Sequence, residues 1–512
     1  METRFLKIPP PVSRPDIWAQ YQPKKTKAWI EELPTANHAK VAQLVDERLS
    51  QLKAVEGDAL ERFEILELMR PTIYELLDHL RCKSVGARFP LNDENAKISE
   101  LALSIATELA TSYWSIAQSL VDTQVSRRLG KKSAIIAQRT LVSLGQILLF
   151  HYLYKRVEPK GIWLDIHQIF LTFHKDTKTK VIDKTGRKLP KTSLVDCYKQ
   201  LLMLRLSEPY SLLHSEIIEV FVSLEKWAGT VNLELFEKAP IPDLPYCLID
   251  YQKDSPAGWA RETDQLSPGL GYLDRTALLR LLNDHKEFVN TNVGRYDAVL
   301  MKGAQLPLSL GLIEYLEQRW SGQERSVAKI FGNRQSRLFL LGLKSIHQSL
   351  NSSGSGDEIV QSEWLAETDS DSKLTCNFFE PERISLGHLT AFRKIEETKH
   401  SLALGITSRI LNQRDGSIEF DLQLLAGKPQ AAGIQPIDIS NKIQTYQRAI
   451  LFFTAETAGR KTWIIVETKQ LKRGEQVRLL TSKESVIAGV LRSKNIGNSC
   501  YLIECRILKK AD

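Results

Sequence analysis

Residues Ala403 to Leu425 read ALGITSRILNQRDGSIEFDLQLL. Two runs of aliphatic and β-branched residues, Ala403 to Leu411 and Ser417 to Leu425, flank the polar turn Asn412-Gln413-Arg414-Asp415-Gly416. That pattern predicts a β-hairpin. Working outward, the chain after Trp320 reads mostly as strand. A last β block follows the hairpin: Ala449 to Thr454, Thr462 to Glu467, Gln476 to Thr481, Val486 to Arg492 and Tyr501 to Leu508, punctuated by Gly459, Gly474 and Gly497-Asn498. Ser352-Ser353-Gly354-Ser355-Gly356 reads as a flexible loop.

Ahead of Trp320 the period is helical. Val41, Leu44, Val45, Leu49 and Leu52 form one stripe within Asn37 to Val55. Asp58 to Leu80 carries Pro71, which is expected to break or kink it. Ala96 to Leu129 and Ser133 to Arg156 are long patterns joined by a short turn, which implies an antiparallel pair. Further helices are expected at 163–174, 192–205, 209–228, Tyr272 to Val289 and Pro307 to Trp320. Helices first and strands last indicate separate domains, a multidomain α plus β chain. Its parts are a Pro-rich extended leader (1–35), a helical domain with long antiparallel helices (36–236), a Pro/Gly-rich connector with helices and one short strand at Tyr246 to Tyr251 (237–320), a β-barrel (321–434) and a second small basic β domain (435–512).

The 512 residues suit about three or four domains. With 43% hydrophobic and 25% charged residues, whole-chain disorder is excluded. The six cysteines have no framework spacing and suit a reducing compartment, so a cytoplasmic location is expected. Cys500 and Cys505, five apart on one strand, are expected on opposite faces. The N-terminus lacks the apolar core and cleavage site of a secretory signal. Leu141 to Tyr154 is too short and too closely followed by Lys155-Arg156 to span a membrane, and reads as a buried helix. The net charge is +8, and Ala431 to Asp512 holds 14 Lys/Arg against 7 Asp/Glu. The basic residues there are interspersed with acids, which reads as the solvated faces of a small β domain, with an anionic partner or nucleic acid as the sharper alternative. Trp18, Tyr21 and Trp29 interleave with Lys24, Lys25 and Lys27; an arm docked on its own domain is favoured over base stacking.

No constellation supports an enzyme. His167 and His174, seven apart, read as core or surface residues, and no metal motif stands. Gly269-Leu270-Gly271 lacks the strand and third glycine of a phosphate loop. Acid pairs such as Glu396-Glu397 and Asp369/Asp371 read as solvated loop.

Gly161 to Leu233, PYCLIDYQKDSP, YLDRTALLRLL, Arg337 to Leu350, Leu386 to Ile395, Ser401 to Leu411 and Phe420 to Ile434 together resemble proteobacterial proteins that end in PilZ domains, receptors for cyclic di-GMP. The resemblance implies a PilZ-like barrel after Trp320, with an RxxxR segment before it and a [DN]xSxxG turn within it. In that family the guanidinium groups fork onto phosphates and stack on guanine, and the turn brings a hydroxyl and close backbone to the ligand. Here the first motif stands as Arg325 to Lys329, with Lys in place of the second Arg, and Arg334 and Arg337 lie nearby. In the second, Thr368 replaces Asp or Asn, Ser370 matches, and Lys373 replaces Gly. Lys keeps charge but loses the planar fork. Asp369 and Asp371 repel an anion.

The resulting expectation is a non-enzymatic signalling or adaptor protein related to cyclic di-GMP receptors. Arg325, Lys329, Arg334, Arg337, Thr368 and Ser370 form its expected cyclic di-GMP site, without cofactor or metal, and the departures from the motifs weigh against retention of the ligand. The alternatives are a protein-interaction platform whose helical domain docks a partner around a ligand-free barrel, and a nucleic-acid binder acting through the basic C-terminal domain.

Overall fold

A computed structural model describes residues 4–83, 85–120, 132–174, 192–235, 245–260, 269–291, 308–322, 335–351, 362–370, 373–378, 383–394, 402–437, 445–456, 459–467, 471–482, 484–497 and 500–510. The chain divides into two compact units. The first comprises 1–85, 92–209 and 214–325; the second comprises 86–91, 210–213 and 326–512. The architecture is α plus β, as expected.

In the first unit the leader is not simply extended. It forms two short helices, Pro15–Trp18 and Pro23–Glu31, each with Pro in its opening turn, where a fixed φ and a missing donor cost nothing. Its aromatics dock inward. Trp18 lies against Gly57 and donates its indole N–H to Glu61, and the Arg48 guanidinium lies between the rings of Tyr21 and Trp29 at 4.5 and 4.4 Å.

Asn37 caps the helix His38–Ala54 by accepting from the Lys40 N–H. The helix Ala59–Lys83 continues unbroken through Pro71. Pro71 is exposed, while Met69, Ile73, Tyr74, Leu76 and Leu77 are buried on both sides of it. Burial of two flanking turns holds the helix despite the lost hydrogen bond.

Asp93–Ser119, capped by Asn92, packs against Lys132–Leu153; residues 121–131, where the first was expected to continue, lie outside the described residues. Lys132–Leu153 is long and apolar enough to cross a membrane, yet 83% of its apolar window is buried in the protein. The Glu67 carboxylate ties three helices, accepting from Tyr113 at 2.8 Å and Arg139 at 3.1 Å.

Ile162–Phe173, Leu194–Leu206 and His214–Trp227 complete the helices expected there; residues 209–211 form a 3-10 turn instead of the start of the last one.

The connector holds more than one strand, and its sheet takes its first strand from residues expected in the helical domain. Asn232–Leu235 (β1), Cys247–Ile249 (β2), Gly258–Trp259 (β3) and Gly271–Asp274 (β4) form an antiparallel sheet in the order β1-β4-β2-β3. Buried Arg275 anchors it, donating to the carbonyls of Trp320, Leu273 and Pro245 at 2.7–2.9 Å. Helices Thr276–Thr291 and Leu310–Ser321 follow.

The second unit holds two closed barrels. Gln335–Leu341 (β5), Ser362–Ser370 (β6), Lys373–Phe378 (β7), Leu389–Lys394 (β8), Ala403–Asn412 (β9) and Ile418–Leu425 (β10) close in the order β5-β6-β7-β10-β9-β8. Gln430–Pro436 (β11), Gln447–Glu456 (β12), Gly459–Glu467 (β13), Gln476–Leu480 (β14), Ser485–Gly497 (β15) and Cys500–Lys510 (β16) close in the order β11-β12-β13-β16-β15-β14. One wiring is thus used twice. The division expected between 434 and 435 falls inside β11, whose partners β12 and β14 are both in the second barrel.

A helix the sequence reading did not contain, Gly342–Asn351, follows β5. Its Leu343 and Ile346 join Leu340, Leu389 and Leu404 of the first barrel and Ile450, Phe452 and Ile465 of the second in one apolar layer. Inside the barrels lie two further cores. The first is aromatic, built on Phe339, Trp364, Phe392 and Phe420 with Phe89; the second is aliphatic, built on residues such as Ile434, Leu451, Ile464, Val477 and Ile503. Cys500 and Cys505 are both buried, which the shared layer makes feasible for opposite faces of β16. Burial pushes both thiols up to about 12, away from reactivity.

Candidate functional site

The expected site residues divide three ways. Arg325, Lys329 and Arg334 lie outside the described residues. Thr368 and Ser370 are on β6, where Thr368 pairs with Leu374 and Ser370 with Lys373 across a register shift. Arg337 is on β5, opposite Trp364 on one side and Lys394 on the other.

From Trp364, the partner of Arg337, to Ser370 is six residues along one strand. At 3.3 Å per residue that is roughly 20 Å. Among the described residues, therefore, Thr368 and Ser370 share the tip of one hairpin, and Arg337 does not join them.

Arg337 belongs to a different environment. Directly paired residues share a face of a sheet, and Trp364 is buried in the core of the barrel, so Arg337 stands in the inward row. Its guanidinium lies 5.7 Å from the centre of the Phe392 ring. Phe392 contacts Phe339 at 5.8 Å, Phe339 stacks on Trp364 at 4.9 Å, and Trp364 meets Phe420 edge-on at 5.6 Å. The Arg337 Nε is buried and has no hydrogen-bond partner. A cation over an aromatic face is stabilised without hydrogen bonds, and the arrangement leaves donors for an anion.

The outward row beside the hairpin holds a buried, ion-paired carboxylate. Asp421 of β10 is paired in register with Thr375 and Arg409, and its carboxylate accepts from Thr375 at 2.9 Å. Arg409 pairs with Glu419 at 2.6 Å and approaches Asp421 at 3.6 Å.

Where β8 begins, His388 is buried, and desolvation with Arg88 nearby lowers its pKa to about 4. This histidine is neutral at physiological pH. Sequence reasoning did not single out Phe392, Trp364 or Asp421. An alternating strand pattern marks a core face, but it does not say which strand will bring an arginine to an aromatic ring.

Among the described residues no group of His, Cys, Asp and Glu is arranged to hold a metal ion.

Residues 24–240 match the family described as cyclic-di-GMP receptor FimW, N-terminal domain. The chain is similar to the cyclic-di-GMP receptor FimW of Pseudomonas aeruginosa, at 24% identity over 363 residues, 70% of this chain. The match spans 58% of that relative's own length. A solved structure of MrkH, titled a c-di-GMP-dependence transcription regulatory factor, aligns with 37% of this chain and 92% of its own at 6% identity and a TM-score of 0.14. The kinship with a cyclic di-GMP receptor family that the sequence suggested is borne out by the first two matches.

Proposed function

We propose that this chain, related to the cyclic di-GMP receptor family, is a signalling adaptor whose first barrel holds the dinucleotide weakly. The observation that carries the reading is the similarity to a cyclic-di-GMP receptor across 70% of the chain. In this reading Arg325, Lys329 and Arg334 bring cations to the barrel, Ser370 offers a hydroxyl at the hairpin, and Arg337 supplies charge from the inward row. The helical unit is the output surface toward a protein partner. Three features weaken the grip. Lys329 lacks the fork of an arginine, Lys373 removes the glycine at the tip, and Asp369 and Asp371 oppose an anion.

Ligand binding changes the output only if it favours one of two conformations. Calorimetric titration of the whole chain with cyclic di-GMP tests the reading. The expected Kd is on the order of tens of micromolar, about −6 kcal/mol. Submicromolar binding would show that the departures do not matter. Absence of heat at ligand concentrations of about a millimolar, with a receptor control responding, would leave the ligand-free interaction platform in its place.

A further inference from the structure

We propose that the end of β16, residues Arg506 to Lys510, is a docking edge for an extended acidic segment of a partner protein, which adds to the second barrel as a strand.

The first observation is a ladder that stops. β13 and β16 pair from Glu467↔Cys500 to Thr462↔Cys505 and no further. Beyond that point β16 continues for five residues, four of which pair with β15 and none with β13, from Gly489↔Arg506 to Val486↔Lys510. Among the described residues no strand pairs with Arg506 to Lys510 on the other side. The register shifts between Ile487 and Ala488, so Leu508 is the extra residue of a bulge.

The second observation is exposure. All five residues are exposed, and Ile507 and Leu508 show 46% and 50% of their surface. Edges are normally guarded by charge, and Lys509 and Lys510 fit that role. Two adjacent large aliphatics on the same edge do not fit it. They supply apolar contact on both faces of the strand, which is what an added strand uses in alternate pockets.

Charge selects the occupant. Arg506, Lys509 and Lys510 place three cations within five residues and no acid, and Lys510 has one exposed pair, with Glu484 at 3.5 Å. A second copy of this edge would set cations against cations, which opposes self-pairing. A strand that alternates aliphatic and acidic residues satisfies backbone, side-chain and charge requirements together.

The test uses the full chain and a fluorescent, end-blocked nine-residue peptide alternating valine and glutamate, read by anisotropy. Binding with a Kd of about 10–100 µM is expected, weakening several-fold as salt rises. A version with alternate backbone nitrogens methylated, which cannot complete a ladder, is expected to bind at least about tenfold more weakly. The double change Arg506→Glu and Lys509→Glu is expected to reverse preference toward a valine–lysine peptide, so a folded variant reports by gain as well as loss. Leu508→Pro, with circular dichroism as the check on folding, is expected to abolish binding. The proposal is overturned if the methylated and parent peptides bind equally, if neither binds at about a millimolar, or if a single-stranded oligonucleotide binds through these cations while the peptide does not.

Discussion

The two barrels have the same strand order and differ in almost everything that fills or surrounds it. The first is packed with large aromatic rings and the second with aliphatic side chains from all six strands. The wiring therefore does not depend on a particular core composition. It needs inward alternation, turns where strands reverse, and enough volume to close the interior.

The barrels also diverge where function is expected. The first places an arginine on an inward aromatic row. In the second, β13 and β16 part beyond Thr462 and Cys505, which leaves a cationic edge on β16. A repeated topology is a frame, and chemistry is carried by the positions where the copies differ.

The aromatic core gives the largest expected effect. Trp364→Ala removes a ring held between Phe339 and Phe420, and is expected to cost about 3–5 kcal/mol. In the second barrel, Ile503→Val removes one methyl group, for about 0.5–1.5 kcal/mol. Because both barrels share the layer of Leu389, Ile450 and Ile465, each variant is expected to shift one common unfolding transition in urea. Two separated transitions would show that the copies are energetically independent.

The same coupling is tested next at a backbone contact. Gly387, ahead of β8, has φ 73° and sits so close to the Ile496 carbonyl that a Cβ would overlap it. Gly497, with φ 99°, makes the reciprocal approach to the Leu386 carbonyl. Gly387→Ala is expected to cost about 3 kcal/mol, from the left-handed backbone and the displaced neighbour together. A loss below about 1 kcal/mol in denaturant unfolding would mean that the barrels yield easily at this point.

Rebuilding the site sharpens the comparison from the other side. Lys329→Arg with Lys373→Gly is expected to tighten cyclic di-GMP binding about tenfold, or about 1.4 kcal/mol, by returning the fork and the bare backbone. An unchanged calorimetric Kd would place the weakness elsewhere, in the aspartates or in the geometry of the inward arginine.

The sequence made the order of helices and strands legible, along with the buried helix at Lys132–Leu153 and the hairpin at 403–425, because each rests on periodicity over many residues. The docked aromatic arm was legible too. The helix Gly342–Asn351 was not. It is ten residues long and abuts the strand run of β5, although Leu343, Ile346 and Leu350 keep a helical spacing that a narrower window would have caught. The boundary was set inside β11 because a continuous β pattern holds no mark of where one closed ladder ends and the next begins. A proline's local cost does not decide whether a helix breaks: Pro71 sits within an unbroken helix because its neighbours are buried. The site was legible as residue types, and the roughly 20 Å between Arg337's register and Ser370 follows only from strand pairing.

The last contrast separates the barrels by pH. His388 is buried at the start of β8, and among the described residues the second barrel's strands carry no histidine. Its pKa is lowered from 6.5 to about 4, first by burial and then by Arg88. Between pH 6.5 and 4 the unfolded chain takes up a proton that the folded barrel refuses. Stability from this group is therefore fully present above pH 6.5, falls as the pH drops toward 4, and falls no further below that. The slope is on the order of 1 kcal/mol per pH unit. His388→Gln removes the titration and is expected to flatten that part of the profile, measured as urea midpoints across the window, while lowering stability little near pH 7. If the wild-type and His388→Gln profiles run parallel from pH 6.5 to 4, acid sensitivity comes from other groups such as His214, whose pKa burial also lowers to about 4, and the contrast between the barrels does not lie in this buried ring.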